Sequence, residues 1–229
     1  MSLNHLTIVS ITRENPGIYK THKSIQPLLN LGANCIIQNG GSKLQVYHNN
    51  TFVYDEPDEG IYDAINKAIK RVKTTFFILI HAGDVFIGDS HAMEDLIDSM
   101  YHENINMSLN SQLIGKRLHS SKTWRPWMLK FGVQPPHMPT IFRTSKFQDK
   151  LYNVTMPTIA DFDYYFTIDS WRLSRNDNRL LIQMEKGGKT SNGIGSFVHV
   201  SLCFIKTYKC RGILMSVTRI PFKIIQSMI

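Results

Sequence analysis

Residues 61–80 constrain the fold more than any other stretch. Ile61, Ala64, Ile65, Ala68, Ile69 and Val72 recur at steps of three and one, a single apolar stripe at helical period. Asp63, Asn66, Lys67, Lys70 and Arg71 line the other side. Asp58 and Glu59 precede the stripe, where a helix N-terminus favours carboxylates. The run TTFFILI, 74–80, follows at once and reads as a strand buried on both faces. It ends abruptly in His81-Ala82-Gly83-Asp84. A helix that delivers the chain into a doubly buried strand is half of a βαβ unit.

The chain upstream supplies the other half. LTIVSI (6–11), ANCII (33–37) and TFVY (51–54) read as further short strands. Residues 18–31 read as a helix in which Pro27 predicts a break or a late start. Strands alternating with helices predict an α/β fold with a parallel sheet and crossover helices. Ligands of such sheets bind beyond the carboxyl ends of the strands. The turns at Asn39–Ser42 and His81–Asp84 are the two candidates. QPPHMP, 134–139, is the strongest punctuation and predicts that the second half forms a distinct lobe.

Composition narrows the class. With 229 residues, 42% of them hydrophobic, the chain can bury one sizeable core or two small ones. Cys35, Cys203 and Cys210 form neither a disulfide framework nor a metal-ligand spacing, which fits a reducing, cytoplasmic compartment. The N-terminus has no signal-peptide pattern, and no apolar run approaches the ~20 residues of a spanning helix. The net charge of +8 is unevenly placed. Glu185 is the last acidic residue, and Lys186, Lys189, Lys206, Lys209, Arg211, Arg219 and Lys223 follow it among apolar side chains. A basic, apolar tail suits an anionic membrane surface or a lipid-linked anionic ligand, or it packs on the body with its lysines solvated. The near-neutral body and the lack of a recognised module speak against a nucleic-acid partner.

Several residues can carry chemistry. Asp84 ends an apolar strand behind a glycine, a place for a carboxylate that meets a divalent ion or caps the next segment. Thr158 and Asp161 read as a capping box opening a helix, and Asp161 would be a general base if it faces a cleft. Gly187-Gly188-Lys189-Thr190-Ser191 could hold a phosphate on backbone amides and Lys189, or be a plain surface loop. His137, in its proline-rich turn, reads locally as structural.

The stretch EPDEGIYDAINKAIKRVKTTFFILIHAGDVF, 56–86, resembles a long block of family 2 glycosyltransferases of the colanic-acid, O-antigen and capsule type, written there as EPDxGIYDAMNKGI…G…FLNxGDxF. Other blocks follow in order. Thr7–Ser24 is similar to the family's first strand and helix, and Asn39–Ser42 to its DGGS turn. His137 with Ile141 and Phe142 is similar to HQAIFF, Asp161–Phe166 to SDYxLxLRL, and Gly187–Thr190 to GGxS. The resemblance covers roughly residues 5–195. It implies the nucleotide-sugar-binding GT-A fold over 1–195, with a donor half at 1–110 and an acceptor half at 111–195; beyond it, 196–229 is expected to be a helical basic segment.

It further implies an inverting hexosyl- or N-acetylhexosaminyltransferase. The sugar would pass from a UDP-sugar to an undecaprenyl-diphosphate-linked acceptor in bacterial surface polysaccharide synthesis, and the basic, apolar tail adds the expectation of peripheral contact at the cytoplasmic face of the inner membrane. On that resemblance Thr12, Asn39, Asp58, Asp63, Asn66, Lys67, His81 and Gly83 would lie on the donor side. His137, Lys189, Thr190 and Ser191 would approach the acceptor or the diphosphate. Asp161 would be the catalytic base, and Asp84 would bind Mn²⁺ or Mg²⁺.

The chain departs from the pattern. His81 and Gly83 occupy the positions of the fold's acidic pair, and Asn39 stands where the family has aspartate. Met138 replaces a glutamine, and the segment between Ser42 and Glu56 lacks the usual helix. His81 could ligate a transition ion or merely pack. These departures carry the alternative expectation, a catalytically degenerate nucleotide-sugar-binding protein of a polysaccharide assembly complex.

Overall fold

A computed structural model describes residues 2–46, 48–156, 158–168, 174–185 and 193–218, over 193–197 as backbone only. The order of elements is β1 (Leu6–Thr12), α1 (Gly17–Asn30), β2 (Asn34–Asn39), β3 (Thr51–Asp55), α2 (Ile61–Lys70), β4 (Phe76–Leu79), β5 (Val85–Phe86) and α3 (Ser90–His102). Then come β6 (Met107–Ile114), β7 (Arg117–His119), a 3-10 turn (Pro126–Phe131), β8 (Ile141–Arg143), α4 (Thr144–Phe147), α5 (Ala160–Thr167), β9 (Ser174–Met184) and α6 (Gly193–Tyr208). A last helical segment, α7, spans 210–218.

The strands form one nine-stranded sheet in the order β3-β2-β1-β4-β8-β6-β9-β5, with β7 pairing β6. β3, β2, β1 and β4 run parallel, as do β6 and β9. β8 lies antiparallel between β4 and β6, and β5 antiparallel to β9. The sheet is continuous through both halves of the chain, so the QPPHMP turn does not mark off a separate lobe. The reason is β8, which enters the sheet straight after that turn.

The expected elements follow from burial. Every residue of β1 and of β4 is buried. Each large aliphatic or aromatic side chain so covered contributes roughly 1.5–3 kcal/mol. α2 turns Ala64, Ile65, Ala68 and Ile69 into this core. The break expected at Pro27 does not occur, and α1 runs through it. Pro27 and Lys23, whose carbonyl loses its helical partner there, both lie on the exposed face of α1, where water can serve instead.

One more expectation fails. α5 starts after Ile159 with no side-chain cap. Thr158 Oγ1 meets His199 Nε2 at 3.1 Å, and Asp161 is engaged elsewhere, so neither closes a capping box.

Candidate active site

The carboxyl ends of β1, β2, β3 and β4 share one edge of the sheet. Because β8 runs the other way, the loop that enters it, with His137, arrives at that same edge beside β4. Two carboxylates dominate the mouth so formed, Asp84 after β4 and Asp161 at the start of α5.

The turn from β4 to β5 is built from α1. Thr21 Oγ1 lies 2.6 Å from the Asp84 carbonyl and 3.0 Å from that of His81, and accepts the Gly83 N–H at 3.0 Å. Gly83 has φ of +99°, a conformation that favours glycine. A Cβ there would lie 2.5 Å from Glu185 Oε2. Glu185 follows β9, and its N–H donates to Asp84 Oδ1 at 3.2 Å. Two carboxylates far apart in the chain therefore flank one glycine. Burial pushes the Asp84 carboxyl up to about 6, and the Glu185 charge adds to that rise.

The resemblance implies a divalent ion at Asp84. Among the described residues no group of three or more His, Cys, Asp or Glu could hold a metal. Hard cations such as Mg²⁺ are commonly held by one or two carboxylates, with phosphates and water completing the shell. Asp84 and Glu185 fit that partial role.

His81 is not a free ligand arm. It is half-buried, its Nδ1 is covered and meets no partner, and burial, with His137 nearby, brings its pKa down to about 3. It is neutral.

Asp161 Oδ1 accepts the Tyr62 O–H at 2.6 Å. Burial and then the Asp161 charge push the Tyr62 phenol well up, so it stays a donor. Its other oxygen, Oδ2, has no hydrogen bond among the described residues. His137 Nε2 is 3.9 Å from Asp161 Oδ1, beyond hydrogen-bond reach.

Both His137 nitrogens are engaged with tyrosines, Nε2 with Tyr152 O–H at 3.0 Å and Nδ1 with Tyr165 Oη at 3.1 Å. Thr140 donates to the Pro136 carbonyl, so its oxygen accepts from Tyr165 O–H. Tyr165 therefore accepts from His137 Nδ1–H, and Nε2 accepts from Tyr152 O–H. Burial lowers the His137 pKa, in keeping with this neutral ring. The network stiffens the wall behind Asp161.

The expected donor residues surround the mouth in two groups. Asp58 Oδ1 accepts from Arg13 at 2.8 Å and from the Gly60 N–H at 2.9 Å. Asp63 pairs with Lys67 at 2.8 Å, and Lys67 also reaches the Pro57 carbonyl. Thr12 ends β1, with its hydroxyl 3.4 Å from the Asn15 carbonyl. These sit along the rim.

Asn39 and Asn66 are turned inward. Asn39 Nδ2 donates to Asp55 Oδ1 and the Ser42 carbonyl, at 2.6 and 2.7 Å, while its Oδ1 accepts the Gly41 N–H. Asn66 clasps the Tyr152 backbone, donating to its carbonyl and accepting its N–H. The amide groups of both are used within the protein. Lys189, Thr190 and Ser191 lie outside the described residues.

Sequence reasoning missed Glu185 and Tyr62 as site residues. Glu185 is the last acid of the chain, directly before the glycine-rich loop, and that position was its signal. Tyr62 sits inside the GIYDAINKA block but reads there as one more residue of a helix.

No family model and no curated protein matches the chain. Solved structures do. The chain is similar to S. aureus TarS 1-349 in complex with UDP-GlcNAc, at a TM-score of 0.64 and 12% identity over 90% of this chain. It is similar to the mannosyltransferase PcManGT from Pyrobaculum calidifontis in complex with GDP-Man and Mn²⁺, at 0.63 and 9% over 94%. A third is mannosyl-3-phosphoglycerate synthase from Rubrobacter xylanophilus, at 0.55 and 10% over 88%. The chain spans 66% of that TarS structure, 39% of a longer TarS chain, 68% of the mannosyltransferase and 73% of the synthase. At these identities the likeness shows the fold, which is the GT-A arrangement.

Proposed function

We propose that the chain is a nucleotide-sugar-dependent glycosyltransferase that works by a single inverting displacement. The observation that carries the reading is Asp161. It stands at the mouth of a GT-A sheet, with one oxygen held by Tyr62 and the other unbonded among the described residues. A carboxylate so oriented is a general base. It takes the proton of an acceptor hydroxyl as that oxygen attacks the anomeric carbon. The bond from that carbon to the diphosphate oxygen breaks, and the nucleoside diphosphate leaves.

Asp84, with Glu185 beside it, faces the diphosphate end of the mouth in this reading. Bound there, a divalent cation would neutralise charge on the departing diphosphate. Arg13 with Asp58, and Asp63 with Lys67, form the rim next to the nucleoside. The acceptor is a lipid-linked glycan, which the uninterrupted basic, apolar end of the chain supports. UDP-sugars are the first donors to test.

Thermal melting with a panel of nucleotide sugars, with and without Mn²⁺ or Mg²⁺, tests the reading, since a ligand of the native state raises its melting temperature. One UDP-sugar should give a metal-dependent rise, and Asp84→Ala should abolish it. Asp161→Asn should keep the rise and lose transfer by roughly 100-fold or more. Full transfer by that variant would remove Asp161 from its role.

A second reading has its own observation. The acidic-pair positions hold a neutral, unpartnered histidine and a glycine. Donor binding without turnover on any acceptor would favour a degenerate binding protein.

A further inference from the structure

α6 and α7 form a helical hairpin, turned at Lys209, whose backbone is left-handed with φ of 53°. One side of the hairpin is docked on the catalytic half. Phe204 packs edge-on against Phe162 of α5 with centroids 4.7 Å apart, and Tyr208 O–H donates to Asp163 Oδ1 at 2.6 Å. Thr218 Oγ1 reaches the Phe131 carbonyl of the 3-10 turn at 3.2 Å. Val200, Phe204 and Met215 are buried.

The other side is apolar and uncovered. On α6, Val198, Leu202 and Ile205 recur at four and three residues, one helical stripe, with Leu202 59% exposed. On α7, Ile213, Leu214 and Val217 are exposed, Val217 to 60%. Lys206, Lys209 and Arg211 are exposed at the bend between the two stripes, and no acidic residue occurs anywhere after Glu185. Trp127, 50% exposed, projects from the 3-10 turn that the hairpin's end touches. No helix among the described residues is long and apolar enough to cross a membrane.

We infer that the α6–α7 hairpin seats the protein on the surface of an anionic lipid bilayer. A protein partner of ordinary composition would need only the apolar stripes. A bilayer surface explains the whole set: apolar side chains to enter the acyl boundary, cations without acids to meet anionic headgroups, and tryptophan at the margin. The seat has a geometrical consequence. Phe162, against which Phe204 packs, is the neighbour of Asp161, so the general base is carried one residue from the docked helix. A hydroxyl on a glycan held at the membrane by its lipid is then the natural acceptor. That last step rests on the proposed transferase reading, whereas the seat itself does not.

Flotation of the full chain with vesicles of phosphatidylcholine, alone or with phosphatidylglycerol added, tests the seat without donor or acceptor. The chain should float with the anionic vesicles, and far less at high salt or with phosphatidylcholine alone. Leu202→Ser with Val217→Ser should abolish flotation. Lys206→Ala with Lys209→Ala should weaken it by roughly ten-fold or more. All four positions are exposed, so melting temperature and any donor-induced rise should stay as in the parent. Absence of flotation, or flotation indifferent to both pairs of substitutions, overturns the inference. So does a dimer that Leu202→Ser with Val217→Ser converts to monomer, since the face would then be covered by a second copy. A donor panel that fails while flotation succeeds would remove the transferase reading and leave the seat.

Discussion

At the scale of the residue, the mouth is stocked with groups held away from their ordinary state. Asp84 is the plainest case, with its carboxyl raised to about 6 by burial. A raised carboxyl means that the folded state binds a proton more tightly than the unfolded chain does. Its contribution therefore favours the fold at low pH and is lost as pH climbs from about 4 to about 6. Asp84→Asn should melt higher than the parent above pH 6 in metal-free buffer, by something on the order of 1–3 kcal/mol of stability. Below about pH 4 the two should converge. Melting curves across that range check both arms, and a variant less stable than the parent at pH 8 would refute the charge argument. His81 and His137 are both driven toward neutrality by burial, so neither adds a positive charge to the mouth. The placement of Asp84 after an apolar strand and of Asp161 at the start of a helix was legible in the sequence. The partners that orient them were not, since Tyr62 and Asp161 are 99 residues apart and Asp84 and Glu185 are 101 apart.

At the scale of the element, the turn from β4 to β5 carries the most consequence. Gly83 has a left-handed φ, backs onto Gly17 and stands against Glu185. Gly83→Ala should cost roughly 1–2 kcal/mol. The tip of Glu185 can swing aside, but the backbone cannot relax so easily with Thr21 holding the turn at three points. The substitution should also weaken the metal dependence of any donor-induced rise, and a parent-like melting curve would show that the turn adapts. Other elements explain what a sequence hides. β1, β2, α2 and β4 were legible because their apolar periodicity matches their burial. β6, MSLNSQLI, was not. Most of its buried side chains are polar, and several are paired, with Ser108 donating to Asp177, Ser111 to Asn178, and Asn110 to the Pro139 carbonyl, while Asn110 Oδ1 and Gln112 Oε1 are buried without a partner among the described residues. A hydrophobic pattern does not see a strand that hydrogen-bonds its own interior. Pro27 misled for the opposite reason, since a local rule about helices yields when the missing bond faces water.

At the scale of the whole molecule, one sheet joins a first half made of neighbouring βαβ units to a second half made of long returns. Backbone amides of β1 and β4, buried along their full length in the middle of the sheet, should exchange hydrogen slowest, and those of the exposed edge strand β7 fastest. Equal protection in β1 and β7 would contradict the topology. The GT-A class was legible because the 56–86 block is long and specific, and the structural likeness at 9–12% identity agrees with it. The second half was less legible, since its strands meet partners far away in the chain.

The pairing of β5 with β9 has a kinetic consequence. Val85 meets Gln183, so the strand that follows Asp84 can be locked only after nearly the whole sheet has been traversed. Contacts of such long range form after local ones, because the entropy of closing the intervening loop must be overcome first. The β1–β4 half can therefore gather early, while the Asp84–Glu185 pair closes late. A chain caught midway in refolding would already own most of its core yet lack a finished mouth. The mouth would be completed last, with the pairing of β5 and β9.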